Sequence, residues 1–379
     1  DDIENEEGLS GVPNKIRPEL PLERTPIDQT TAIALKEILF GSPMACFTDE
    51  WKQQNFSFSD TPGLKYGFVQ KKGGPCGVLA AVQACVLQKL LFEESSTSSL
   101  DQKLEQSKNL RTKCLCLALG DVLWRAGNMK RATVAINTGR SMFTPIGRYK
   151  TDGVLEMMSY VTVETLDDLA FVLEQNIRQF ESGPFGCILL TISAILSRTI
   201  TTIQGDMDVP TSTLIGAHGY CTQELVNLLL CGCAVSNVFD HEMKLDSGNG
   251  NFTLLKGIKT PSNIGLLSLF EYYNICKVGS HLKNPKFPIW LVCSESHFSV
   301  LFGLSEDLAH SKEQEFDLFY YDGLANQQEP IRLTIYPHSA ARTSHRDDTD
   351  ADLIPPLELC IRTKWHNAEV CWNDTDPIL

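Results

Sequence analysis

Between Lys65 and Gln83 the chain reads KYGFVQKKGGPCGVLAAVQ, a stretch that demands an abrupt change of backbone. A short apolar piece ending at Gln70 suits an extended strand. Two lysines, two glycines and a proline then interrupt any regular element. From Cys76 onward Val78, Leu79, Val82, Val86, Leu87, Leu90 and Leu91 recur at spacings of three and four, which predicts one continuous apolar face of a helix. Such a helix has to lie against a second layer, and its first residue is a cysteine.

The second layer is predicted at the other end of the chain. FPIWLVC (287–293), FSVLFG (298–303), EFDLFYYDG (315–323), IRLTIYP (331–337) and LELCIRTKW (357–365) are short, rich in β-branched or aromatic residues and bounded by turn residues. They read as an antiparallel sheet. Elsewhere the pattern is helical: 30–41 with Gly41 placed to stop it, about 109–126, a helix opened by Thr165 with Asp168 as a capping pair and running to about Phe180, then 222–230 and 263–273. EESSTSSLDQK (93–103) and the insert from His338 to Ala351 read as polar loops, and DSGNGN (246–251) as a tight turn. The class is therefore α+β. Residues 1–28, rich in Asp, Glu, Pro and Asn, read as a mobile lead-in. With no internal repeat and no long linker, 29–379 reads as one domain.

Composition narrows the function. Of 379 residues 42% are hydrophobic and 21% charged, enough for a core that needs no covalent staples. The thirteen cysteines sit mostly in apolar segments, as buried thiols do in a reducing compartment, so a cytoplasmic or nuclear location is expected. A net charge of −14 argues against nucleic acid as a partner. The apolar runs at 187–196 and 225–235 fall short of the roughly 18–20 residues that cross a bilayer, so no membrane span is expected. No leader is recognisable, and a start at Asp rather than Met suggests a piece of a longer polypeptide.

Several patterns carry no metal or nucleotide chemistry. Cys114-Leu-Cys116 and Cys231-Gly-Cys233 lack the spacing and second pair of a zinc site. DTDADL (348–353) has Leu353 where a calcium loop requires glycine. No phosphate-binding glycine motif occurs. Neither a metal nor a cofactor is expected.

What remains is a constellation around Cys76. At the first position of a helix a thiolate is favoured by the positive end of the dipole and by nearby N–H groups. Gly73 and Gly74 let the backbone turn sharply and let a substrate chain approach closely. Gln70, six residues before the cysteine, has an amide able to join the Cys76 N–H in an oxyanion hole. His297 in LVCSESHFSVLF, in the bend between two strand segments, is the candidate base. Asp322, at the end of the next strand, is a candidate to orient the imidazole, with Asn326 and the Tyr321 backbone as competitors. Each residue alone has an ordinary reading: core thiol, exposed amide, strand-edge histidine, turn aspartate. Together they point to papain-like cysteine hydrolysis.

YGFVQKKGGPCGVLAAVQACVLQKLLF together with SHFSVLF resembles the catalytic core of the MINDY family of deubiquitinases, most of all its fourth member. The resemblance runs from about residue 30 to the end. It implies a papain-like fold, with a helical half carrying the nucleophile and a sheet carrying the histidine. It also implies isopeptidase activity on polyubiquitin of the linkage that marks proteins for the proteasome. By that match Cys76 is the nucleophile, His297 the general base and Gln70 the oxyanion residue. If ubiquitin is the substrate, its Gly-Gly tail suits a narrow channel beside the 71–75 turn, which makes Gly73 and Gly74 candidate substrate-binding residues. The family's third catalytic position does not transfer, so Asp322 remains a local inference. A monomer with ubiquitin as partner is expected. Two rivals are a silent ubiquitin-binding protein on the same fold and a transglutaminase-type acyltransferase. The glycine turn further suggests that the free protein holds Cys76 and His297 apart.

Overall fold

The computed structural model describes residues 22–94, 107–309, 315–338 and 353–379. The loops expected at 93–103 and 338–351, the start of the lead-in and the DTDADL stretch lie largely or wholly outside the described residues.

Three strands, β1 (Thr25–Pro26), β2 (Ala132–Asn137) and β3 (Met158–Val163), form a small antiparallel sheet in the order β1-β3-β2. The sequence pattern had this half as helical throughout, because six-residue β-branched pieces between long helices are easily absorbed into them. Part of the expected lead-in also belongs to the packed structure. Thr25 pairs with Tyr160, Ile27 is buried, and the Asp28 carboxylate caps helix α1 (Gln29–Phe40) by accepting from the Thr31 N–H at 2.8 Å. Gly41, at φ +85°, ends that helix as expected. After the single turn α2 (Asp49–Lys52) comes α3 (Cys76–Gln88), continued by a π-helical turn over Lys89–Glu93.

The pattern predicts one buried face for α3, yet every residue from Cys76 to Gln88 is buried. The helix lies between α4 (Lys108–Ala126) on one side and the C-terminal sheet on the other. Cys76–Glu93 is long and apolar enough to span a membrane by length and composition, contrary to the expectation that nothing would be. It is 89% buried inside the protein, as the central helix of a core would be.

Two helices follow, α5 (Leu166–Glu181), capped by the Thr165 hydroxyl, and α6 (Gly186–Arg198). Ser193 and Ser197 of α6 accept from the Ala135 and Thr133 N–H groups, each at 2.8 Å, and so close the free edge of β2. The helices α7 (Ile200–Asp206) and α8 (Gln223–Cys231) complete this half.

A hairpin of β4 (Glu242–Gly248) and β5 (Asn251–Lys256) carries the expected turn at its tip. The large sheet then runs β11-β10-β9-β8-β7-β6, with β6 (Gly265–Ser268), β7 (Ile289–Ser294), β8 (His297–Phe302), β9 (Phe316–Tyr321), β10 (Ile331–Tyr336) and β11 (Glu369–Cys371). Two expectations fail here. The predicted helix at 263–273 is β6 followed by one helical turn, and β6 pairs parallel to β7, so the sheet is not wholly antiparallel. A strand buried on both faces reads as a plain apolar run, which periodicity cannot tell from a buried helix. The predicted strand at 357–365 is instead a helix, Pro356–Arg362, with a proline at its first position where no N–H is missed.

Candidate active site

The site assembles where the start of α3 meets the β7–β8 turn and the end of β9. Tyr66 to Gln70 forms the extended lead into the glycine turn. It is clamped by Gln83 of α3, whose amide accepts from the Phe68 N–H at 2.7 Å and donates to the Tyr66 carbonyl at 2.8 Å. The Tyr321 hydroxyl donates to the Phe68 carbonyl at 2.6 Å, and the Gln70 N–H to the Gly323 carbonyl at 3.3 Å. The segment before the cysteine is thus tied both to the cysteine's own helix and to the strand that ends in Asp322.

Gly67 makes the second tie possible. A Cβ there would lie 2.1 Å from the Tyr321 ring. Gly67→Ala must push that ring off Phe68 and disturb Asp322 beside it. A loss of about 1–3 kcal/mol is expected, read as a lowered Tm together with weakened activity.

Gly74 sits at φ +121°, a conformation that disfavours a side chain, and lies against the Gly219 carbonyl and Trp51. The Trp51 indole donates to that same carbonyl at 2.8 Å. Gly74 is buried, so it shapes the turn, whereas Gly73 is half-exposed with only Tyr220 near. Pro75, at the helix cap position, has no side chain with which to cap α3. The sulfur of Cys221 takes that place: the Gly77 and Val78 N–H groups donate to it, and its thiol lies 3.6 Å from the Gly74 carbonyl. Burial pushes the Cys221 thiol up, so it stays protonated beside the reactive centre.

Cys76 opens α3 with only 1% of its surface exposed. Its sulfur is hydrogen-bonded to the His297 imidazole and lies 3.4 Å from the Ser296 carbonyl. His297 is the first residue of β8, and its Nε2 is 2.7 Å from Asp322 Oδ2, leaving Nδ1 for the sulfur. Register explains the contact. β8 and β9 pair Val300 with Tyr321, which sets Asp322 opposite Ser299, on the face that His297 shares two residues earlier. Asp322 is buried, and its other oxygen accepts from the Leu324 N–H at 3.0 Å. Asn326 lies beyond the strand end at φ +53°, and its amide oxygen and carbonyl accept from Gln328. Of the three competitors it is the Asp322 carboxylate that reaches the ring.

Burial alone would lower the affinity of the His297 ring for a proton. The hydrogen bonds to Asp322 and Cys76 outweigh it and push the pKa up to about 10. The proton therefore rests on the imidazole at neutral pH, between a carboxylate and the sulfur. Gln70 is buried with its amide donating to the Lys72 carbonyl at 2.8 Å, on the cysteine side of the turn. The expectation that the free turn holds Cys76 and His297 apart fails, since the two are already in contact. Among the described residues no group of three or more His, Cys, Asp or Glu could hold a metal ion.

The conserved-domain model described as "Deubiquitinating enzyme MINDY-3/4, conserved domain" matches residues 36–374. The chain belongs to the MINDY-3/4 deubiquitinase family. Along its full length it is 59% identical to the human protein named probable ubiquitin carboxyl-terminal hydrolase MINDY-4, of which it covers 49%. It is 54% identical to the Xenopus tropicalis protein of the same name, covering 51% of it. Human ubiquitin carboxyl-terminal hydrolase MINDY-3 is 32% identical over 68% of this chain and 60% of its own. The chain thus spans about half the length of the MINDY-4 relatives it matches. No solved structure matches it.

Gln83, the Tyr321 hydroxyl, Cys221 and the Ser296 carbonyl escaped the sequence reading. Only Gln83 left a trace there, as a polar residue inside an apolar helix. The others act through backbone atoms or through chain segments far apart in sequence.

Proposed function

We propose that this domain is a papain-like cysteine isopeptidase that cleaves polyubiquitin. The observation that carries the reading is the Cys76–His297–Asp322 chain of contacts, closed by a 2.7 Å bond and placed at a helix start, in a member of a deubiquitinase family. In this reading the Cys76 sulfur attacks the carbonyl of ubiquitin's terminal glycine. The oxyanion is held by the Cys76 N–H and the Gln70 amide, which turns from the Lys72 carbonyl. The proton on His297 passes to the departing lysine amine. Water, deprotonated by the same ring, then hydrolyses the thioester.

The linkage preference proposed from the family resemblance is the lysine linkage that targets proteins to the proteasome. A panel of ubiquitin chains digested by wild type and Cys76→Ala tests activity and linkage together, and equal cleavage of every linkage would remove the preference. Capture by a ubiquitin carrying a C-terminal electrophile separates the enzyme from a silent binder, which would not be labelled. Mass spectrometry of the product separates hydrolysis from transfer to an amine.

The tail is proposed to pass Gly73. Gly73→Val has room for its Cβ, 3.8 Å from the Tyr220 ring, so the fold should be kept while KM for diubiquitin rises about tenfold. An unchanged KM would move the channel elsewhere.

A further inference from the structure

Asp322 stands just past the ladders that hold the rest of its strand. Towards β10 the last pair is Tyr320 with Ile331, and towards β8 it is Tyr321 with Val300. Neither ladder continues to Asp322, although this is the residue whose carboxylate must meet His297. A side chain stands in for the missing strand. Gln327, five residues on in the turn between β9 and β10, lays its amide along the strand end. Its Oε1 accepts from the Asp322 N–H at 3.2 Å. Its Nε2 donates to the Tyr320 carbonyl at 3.2 Å and to the Glu329 carbonyl at 3.0 Å.

These bonds fix which way the amide points. With its two ends exchanged, the NH2 would face the Asp322 N–H, donor against donor, and the oxygen would face two carbonyls. A carboxylate of the same length would lack the two donors. Held in this way, residues 320–322 keep the extended course that brings Asp322 Oδ2 to 2.7 Å from His297 Nε2. Removing the amide frees the Asp322 N–H and the Tyr320 carbonyl, and the strand end is then able to fray. Gln327 is only half-buried, so truncating it opens no hole in the core.

We propose that Gln327 is a positioning residue of the active site, its amide substituting for a neighbouring strand and holding Asp322 in register with His297. The kinetic consequence rests on the cysteine isopeptidase reading, whereas the effect on the histidine ring does not.

Gln327→Ala tests it, beside Gln328→Ala as a control. Gln328 is exposed and bonded to Asn326. The charged partners of the His297 ring are Asp322 and Cys76. In Gln327→Ala, with a wild-type circular dichroism spectrum, that ring should titrate by NMR at least about one pH unit lower than in wild type. The kcat for diubiquitin should fall about ten- to a hundredfold with KM unchanged. Gln328→Ala should match wild type in both measurements. A lowered Tm with an unmoved His297 titration would overturn the proposal and leave Gln327 a turn residue, as would equal shifts in the two variants. If wild type cleaves no ubiquitin chain, the peptidase reading fails while the titration still decides the role of Gln327.

Discussion

Cys76→Ala is expected to abolish cleavage of ubiquitin chains, a loss of at least about 10⁴-fold, with the fold retained. Among the described residues, the thiols near that sulfur, Cys187, Cys221 and Cys293, are all pushed up by burial. Cys221 caps the same helix but is buried, protonated and engaged with backbone groups. Burial likewise pushes the Cys293 thiol up to about 12. The structural cost of the change is small, because Cys76 lies among buried neighbours that accept alanine at the first position of a helix. Steady-state hydrolysis of diubiquitin and a thermal melt on the same sample check both halves. Residual activity within tenfold of wild type would displace Cys76 as nucleophile.

Asp322→Asn is the second large effect, a fall in kcat of about 10²–10⁴-fold with the protein folded. Asparagine keeps the size and the bond to the Leu324 N–H but removes the charge that holds the His297 ring protonated. The pH dependence distinguishes this from mere loosening. In wild type the imidazolium, raised from 6.5 to about 10, supports the folded state fully below pH 6.5 and loses that support as pH climbs through about 10. In Asp322→Asn the alkaline limb of both stability and kcat should move down toward the ordinary histidine range. Titration of the His297 ring by NMR in both proteins measures it directly. A ring that titrates identically in the two would show that Asp322 does not set its charge.

Much of the fold was legible because its signals are local. The caps at Asp28 and Thr165, the stop at Gly41 and the three-and-four spacing after Cys76 depend on neighbours within one or two turns. Short apolar pieces carry no such signal. Gly265–Ser268 became a parallel strand and Pro356–Arg362 a helix because the layers beside them left those spaces. Gln70, Cys76 and His297 stood out in the sequence by residue type and by their place at the junction of two elements, and the structure brings Cys76 and His297 into contact.

By itself, then, the sequence determined that a cysteine opens a core helix behind a glycine turn, and that a histidine stands at the start of a strand far along the chain. Only the tertiary structure decided that Asp322 rather than Asn326 reaches that histidine, since the β8–β9 register selects between them. It also decided that Cys76 and His297 are in hydrogen-bond contact, and that Gly74 is buried in the turn while Gly73 is half-exposed. Each of these depends on distances between segments up to about 220 residues apart, which packing of the whole core sets and no local pattern records.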